Sequence, residues 1–431
     1  MSIEIHIDSV PIDVREQITK DLQVEIEGSS FVHNAQSRFI YPIDVGEDYA
    51  YIPFAYGRNC KGGPFKRPER DNYPNISSKF NGILRPDQKE ITKEAISHLN
   101  KYGSTLLACY PGIGKTAMSI YISTKVRMKV MIITHRIVLI KQWEKSINKF
   151  CPDATVQVLT TKSTMKDCDF YIMNATNVPK HDTKFYKDIG FLIVDEVHLI
   201  MAEGLSKSMQ RIVPRYVIGL SATPYREDGL NILLELYFGK KTIYRKLFRE
   251  HYAYKIKTNF VPTVELAKNG RVNWGAILDS QANDKARNEM IIRLVKHFPK
   301  RVFLILCKRV RQGEYLVQRF QEEGEDVTSL IGSQQEYEQT SRILVGTNSK
   351  TGTGFDHQRL DAMILATDIQ AYFIQYLGRC MRTEKVVPII FDLVDKNPIL
   401  EKHFKIRQAT YLEHGGSIKN FTDDFPDFEI I

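Results

Sequence analysis

From residue 104 onward the chain repeats one pattern: a short apolar run, then a longer stretch with helix-like spacing. The runs at 104–110 (STLLACY), 129–135 (KVMIITH), 169–175 (DFYIMNA), 191–197 (FLIVDEV) and 216–222 (YVIGLSA) show no polar alternation. Strands without a polar face are covered on both sides, as in a parallel sheet between helices. A second series follows at 301–307 (RVFLILC), 342–347 (RILVGT), 362–367 (AMILAT) and 387–393 (VPIIFDL). Two α/β domains with parallel sheets account for this better than one long sheet. The first 80 residues differ, being rich in Tyr, Gly and Pro, and predict a small α+β or β-rich domain. The expected organisation is a small N-terminal domain (1–80), a first α/β domain (81–235), a mixed, basic connector (236–285) and a second α/β domain (286–431).

Composition adds direction to this outline. A chain of 431 residues with 43% hydrophobic residues is long enough for two or three domains with cores. The net charge of +9 is uneven: residues 1–80 hold 9 Lys and Arg against 12 Asp and Glu, the remainder 51 against 39. A polyanion partner is therefore expected on the C-terminal part. The six cysteines form no CxxC pair, which argues against a zinc or disulfide framework and for a reducing, intracellular compartment such as the cytosol or nucleus, with a virion or viral factory as alternatives. The N-terminus lacks the basic start and apolar core of a signal peptide. No run approaches the 18 apolar residues of a membrane-crossing helix, so no membrane association is expected.

The segment ACYPGIGKT (108–116) carries the first chemistry. A phosphate loop follows GxxxxGK[ST], and the segment departs from it only at Cys109, where the strand ends and a small side chain suffices. Gly112 and Gly114 let backbone N–H groups approach phosphates at a helix N-terminus. Lys115 would reach the β- and γ-phosphates and Thr116 would hold Mg²⁺. Downstream, FLIVDEVHLI puts Asp195 and Glu196 at the C-terminal end of a buried strand, where ligands of open α/β sheets collect. Adjacent carboxylates there are costly unless they serve a cation and a water. Asp195 would bind Mg²⁺, and Glu196 would orient and deprotonate the attacking water.

With DEVH (195–198), SAT (221–223) and QYLGRCMR (375–382) following the loop in this order, the chain resembles the superfamily 2 helicases over about residues 82 to 395. The resemblance implies two tandem RecA-like domains that close on ATP, with nucleic acid crossing both. Carried over residue by residue, it implies that His198, Ser221 and Thr223 couple the γ-phosphate state to closure. It also implies that Gln375, Arg379 and Arg382 act from the second domain, the two arginines as fingers on the γ-phosphate. LRPDQKEI (84–91) resembles the adenine-reading segment, with Gln88 and Arg85 at the base. ITHRIVLIKQW (133–143) resembles a nucleic-acid motif that places Arg136 and Lys141 at phosphates. VGTNSKTGTGFDH (345–357) resembles a further motif in which Thr347 touches the nucleic-acid backbone and Gly354 and Asp356 link to ATP. Here Thr347 to Gly354 is one residue longer than the family's usual spacing.

SATPYREDG (221–229), with Arg226, Glu227 and Asp228, and DKARNEMI (284–291) resemble the XPB and UvsW group, near poxvirus-type transcript-release helicases. This implies an ATP- and Mg²⁺-dependent enzyme on duplex, forked or single-stranded DNA, in viral or phage transcription, recombination or repair, within a transcription or repair complex. RNA is the alternative substrate. A non-enzymatic scaffold is the remote one, opposed by the intact Lys115, Glu196, Arg379 and Arg382. A monomer suffices, since both halves of the ATP site lie on one chain. Arg58, Lys61, Lys66, Arg67 and Arg70, among Tyr56, Phe65 and Tyr73, combine charge with aromatic rings and would let the N-terminal domain engage DNA.

Overall fold

The computed structural model describes residues 1–26, 38–60, 65–201, 209–222, 231–334, 336–352, 355, 357, 359–370, 373–382 and 386–430. It divides into two compact units, Met1–Arg245 and Lys246–Ile431.

The first unit opens with β1 (Ser2–His6), α1 (Ile12–Asp21), β2 (Val24–Ile26), β3 (Arg38–Ile40), β4 (Asp44–Val45), β5 (Tyr49–Pro53) and α2 (Phe54–Asn59). β1, β5 and β4 form a small antiparallel sheet. Then follow α3 (Pro86–Tyr102), β6 (Ser104–Cys109), α4 (Lys115–Val126), β7 (Val130–Thr134), α5 (Ile137–Phe150), β8 (Val156–Leu159) and β9 (Phe170–Asn174). β10 (Phe191–Asp195), α6 (Val197–Ile200), β11 (Tyr216–Ser221), α7 (Asn231–Phe238) and β12 (Thr242–Arg245) complete the unit. Seven strands pair in parallel in the order β12-β6-β11-β10-β7-β9-β8.

Alternation along these strands sorts their side chains onto two faces. On β10, Leu192 and Val194 enter one core while Phe191 and Ile193 enter the other, which is why the run reads as uniformly apolar. The first of these cores also holds Ile3, Ile5, Ile52 and Phe54. The N-terminal sheet thus covers one face of the large sheet and shares its core. The basic stretch that follows is tied down at the sheet's N-terminal edge. Arg67 donates to the carbonyls of Leu99 and Asn100 at 3.0 Å each, at the end of α3, and lies over the Tyr216 ring. Arg70 donates to the Arg127 carbonyl at 2.7 Å just before β7. Tyr73 is buried, its hydroxyl on the Val213 carbonyl. These groups, expected at nucleic acid, hold the chain to its own sheet. Lys61 lies outside the described residues.

The second unit runs β13 (His251–Lys257), α8 (Trp274–Asn283), α9 (Lys285–His297), β14 (Phe303–Cys307), α10 (Val310–Glu322), β15 (Val327–Leu330), β16 (Ile343–Thr347) and α11 (Asn348–Thr351). β17 (Ala362–Leu365), α12 (Phe373–Cys380), β18 (Ile389–Val394), α13 (Pro398–Glu413), β19 (Gly416–Asn420) and α14 (Phe421–Asp424) follow. Its seven strands are also all parallel, in the order β15-β16-β14-β17-β18-β13-β19. α10 shows how little apolar content a covering helix needs. Gln312, Gly313, Leu316 and Phe320, at i, i+1, i+4 and i+8, form its buried stripe.

The two α/β domains are as expected, while residues 236–285 are divided between them. β12 closes one edge of the first sheet and β13 lies inside the second. β13 (HYAYKIK) alternates apolar and polar residues because Lys255 lies along the Phe404 ring and pairs with Glu401, so the strand does not read as a buried one. Among the described residues no helix is long and apolar enough to cross a membrane.

Candidate active site

The C-terminal edge of the first sheet brings the predicted nucleotide-site residues together. β6, β11 and β10 are neighbours, so the loop after β6 and the carboxylates ending β10 stand two strand spacings apart, about 10 Å. The loop is shaped by two left-handed residues, Gly112 (φ 87°) and Gly114 (φ 95°). The φ of Gly114 requires glycine, and a Cβ there would meet Gln88 Nε2 at 2.5 Å and displace that side chain. α4 begins at Lys115 with no acidic residue in its first turn and no side-chain cap. Its leading N–H groups and helix dipole therefore face the loop as an anion cradle. Lys115 Nζ folds back and donates to the Cys109 carbonyl at 2.7 Å. The Cys109 side chain is fully buried, its Sγ 3.8 Å from the Ile243 carbonyl of β12. A glycine is dispensable there because the side chain points away from the loop.

α3 supports the cradle from behind. Gln88 Oε1 accepts from the Arg85 backbone at 2.9 Å, while Gln88 Nε2 and Arg85 Nη2 both donate to the Ile113 carbonyl, at 2.7 and 2.6 Å. Both residues assigned to adenine thus hold the phosphate loop, and contact with a base would exchange these bonds.

Asp195 and Glu196 stand where β10 ends. Burial, then the neighbouring Glu196, pushes the Asp195 carboxyl up to about 7, against the pull of Trp143 and Lys115. Trp143 Nε1 donates to Asp195 Oδ2 at 2.8 Å. Glu196 adopts φ 49°, ψ 53°, a left-handed conformation that costs a non-glycine residue roughly 1–2 kcal/mol. That turn sends its carboxylate toward His198, with Oε2 3.5 Å from Nδ1. The same Nδ1 lies 2.9 Å from the Ser221 hydroxyl at the end of β11. His198 and Ser221 are both buried. A chain of three side chains thus joins the carboxylate of one strand to the tip of the next. A dication fits here: it would relieve the two crowded carboxylates, with Thr116 on the adjoining first turn of α4. A triphosphate fits the acceptor-poor cradle.

Arg136 precedes α5 at the end of β7, half-buried, and Lys141 is exposed on that helix. In the second unit Thr347 ends β16, its hydroxyl 3.3 Å from Ser349. Gln375 and Arg379 are buried on α12. Arg379 donates to the Phe355 carbonyl and, at 2.8 Å, to that of Gly352, and its guanidinium lies over the Phe355 ring. It ties the loop after β16 to α12. Arg382 is half-buried just beyond that helix, and burial draws its pKa down. Thr223, Gly354, Asp356 and the 226–228 triplet lie outside the described residues.

Residues 81–226 match the family "Type III restriction enzyme, res subunit". The chain is 39% identical over 451 positions to 161L of Invertebrate iridescent virus 6, a protein named as an inferred helicase, covering 98% of this chain and all of that one. The chain belongs to the superfamily 2 helicases. Within that family it is also 25% identical, over 74% of its length and 75% of the other, to a protein named transcript termination protein A18 in Yaba-like disease virus. S. cerevisiae Dbp5 bound to RNA and ADP BeF3 shares the fold at a TM-score of 0.55 and 15% identity, over 80% of this chain and 95% of that one. The family implies use of ATP. One member of the site, Trp143, was not singled out by sequence reasoning. It ends the segment 133–143, but a tryptophan on an apolar helix face reads as core, and it is indeed only 1% exposed. Only its indole N–H on Asp195 distinguishes it.

Proposed function

We propose that this chain is an ATP-dependent DNA helicase or translocase that remodels duplex DNA in viral transcription, recombination or repair. The observation that carries the reading is the Glu196–His198–Ser221 chain beside the phosphate loop. A site for hydrolysis alone has no need to link its water-activating carboxylate to the tip of another strand. Bound Mg·ATP supplies the phosphoanhydride and the charge that neutralises it. Gly112 and Gly114 present amides to the phosphates, and Lys115 exchanges the Cys109 carbonyl for phosphate oxygen. Thr116 and Asp195 hold the cation. Glu196 takes the proton of the attacking water, while His198 and Ser221, with Thr223, transmit the state of the site. Arg85 and Gln88 read the base. Gln375, Arg379 and Arg382 act from the second unit, the positive charge of Arg382 lowering the barrier when it reaches the transferring group. Gly354 and Asp356 link to the nucleotide, and Arg136 and Thr347 contact the nucleic-acid backbone. The relative named for transcript termination supports a role in transcription. The RNA bound to Dbp5 supports the second reading, an RNA helicase.

Steady-state ATPase with no polymer, single-stranded, duplex or forked DNA, and RNA, at two salt concentrations, tests this. Stimulation by DNA that falls with salt is expected, as phosphate contacts require. Stimulation by RNA alone selects the second reading, and a rate indifferent to every polymer rejects both.

A further inference from the structure

Residues 366–370, which follow β17 ahead of α12, the helix that carries Gln375 and Arg379 and leads to Arg382, are anchored by α13, which contains none of the signature segments. From α13, Arg407 enters the core at 3% exposure. Its Nε and Nη2 donate to both carboxylate oxygens of Asp392 on β18, at 2.8 and 2.7 Å. Its Nη1 donates in the other direction, to Asp368 Oδ1 at 2.7 Å and to the Ile369 carbonyl at 3.1 Å. The second oxygen of Asp368 lies 2.7 Å from His403 Nδ1, one turn earlier on α13. A turn later, the Tyr411 ring meets that of Phe373, the first residue of α12, edge-on at 5.2 Å.

The forked pair of Arg407 with Asp392, joined by the Tyr411 hydroxyl on the same carboxylate at 2.9 Å, docks α13 on the sheet. A second buried carboxylate on the same guanidinium adds desolvation cost, and such groups are poor contributors to net stability. What Asp368 adds is location, because it fixes the stretch of chain that leads from β17 toward α12. We propose that Asp368, pinned by Arg407 and His403, is a positioning residue that sets where α12 starts and hence where Arg382 stands. The inference rests on the reading of Arg382 as a finger. Its leverage follows from length: α12 spans eight residues, about 12 Å, so a tilt of about 5° at its start moves its far end by about 1 Å. A misplacement of that size can cost about 10²-fold in rate.

Asp368→Asn in the full chain tests it, measured with saturating stimulating polymer, alone and with Arg382→Ala. The expected result is a kcat about 10- to 100-fold lower, a KM for ATP within about twofold, and no further loss when Asp368→Asn is added to Arg382→Ala, since residues acting through one another are not additive. Gln370 is exposed and bridges Asp368 and His403, so Gln370→Ala gives the same effect in weaker form should Asp368→Asn not fold. A kcat within twofold of the native chain, or a loss that multiplies on Arg382→Ala, overturns the inference. An Arg382→Ala chain with near-native turnover overturns the finger reading and this inference with it. A collapsed Arg382→Ala beside an unaffected Asp368→Asn overturns this inference alone.

Discussion

Replacing Glu196 by Gln should make the metal-free chain more stable while removing its turnover. The rise of the Asp195 carboxyl from 3.8 to about 7 corresponds to about 4 kcal/mol against its ionised form, at ~1.4 kcal/mol per pH unit. Burial is the larger cause and the Glu196 charge the next; an adjacent like charge is worth on the order of 1–2 kcal/mol. Because Asp195 titrates higher in the folded chain than in the unfolded one, the penalty is absent below about pH 4, grows as pH rises, and is complete above about pH 7. Glu196→Gln keeps the shape and the left-handed backbone but removes the neighbouring charge. In a unit of this size the gain would appear as a melting temperature raised by roughly 2–8 °C at pH 8 with chelator present. It should shrink to nothing by about pH 4, where Asp195 is protonated in both proteins. Thermal unfolding from pH 4 to 8, paired with an ATPase assay, measures both effects. A variant no more stable than the native chain at pH 8, or a gain that grows on acidification, would refute the electrostatic account. Retained near-normal turnover would refute the assignment of Glu196 as base.

Gly114→Ala places a Cβ 2.5 Å from Gln88 Nε2 at a φ of 95°. Nucleotide binding, followed with a fluorescent ATP analogue, should fall below detection, with a stability loss of about 1–3 kcal/mol. Arg382→Ala should reduce stimulated turnover by roughly 10³-fold or more with ATP affinity nearly unchanged, and a few-fold drop would make the residue structural. Arg287→Met leaves Asp395, fully buried 2.9 Å from Arg287 Nε, without its countercharge. Urea unfolding should show about 3–5 kcal/mol lost, and hydrogen exchange should place that loss on β18 in the second unit.

How far the fold could be read from sequence depended on how each strand is covered. β6, β7, β9, β10 and β11, and their counterparts β14, β16, β17 and β18, are buried on both faces and announce themselves as apolar runs. β8 and β15 end their sheets and keep half-buried residues. β12 and β13 were hidden for a different reason. β13 carries Tyr and Lys whose rings and stem pack while the polar ends find partners, as Lys255 does with Glu401, and β12 offers one buried residue, Ile243, beside an exposed Tyr244 and an Arg245 paired with Glu94. A composition that reads as connector is therefore compatible with a strand inside the sheet.

The chemistry divides along a similar line. Lys115, Asp195 and Glu196 could be read from spacing alone, because a phosphate loop and a strand-end carboxylate pair are local patterns with a local physical purpose. The residues that hold them in place could not. Trp143 on Asp195 and Ile113 beneath Gln88 join segments far apart in the chain, and the bond in each case uses one atom of a residue whose remaining surface belongs to the core. The same holds for the N-terminal basic stretch, where charge and aromatic rings in one segment read as a nucleic-acid surface. Arg67 and Arg70 instead satisfy the carbonyls at the end of α3 and before β7. The Leu99 and Arg127 carbonyls already accept from the backbone N–H groups of Gly103 and Ile76, so the arginines add second bonds that fasten the stretch to the sheet, a role that arises only once the N-terminal layer is folded over it.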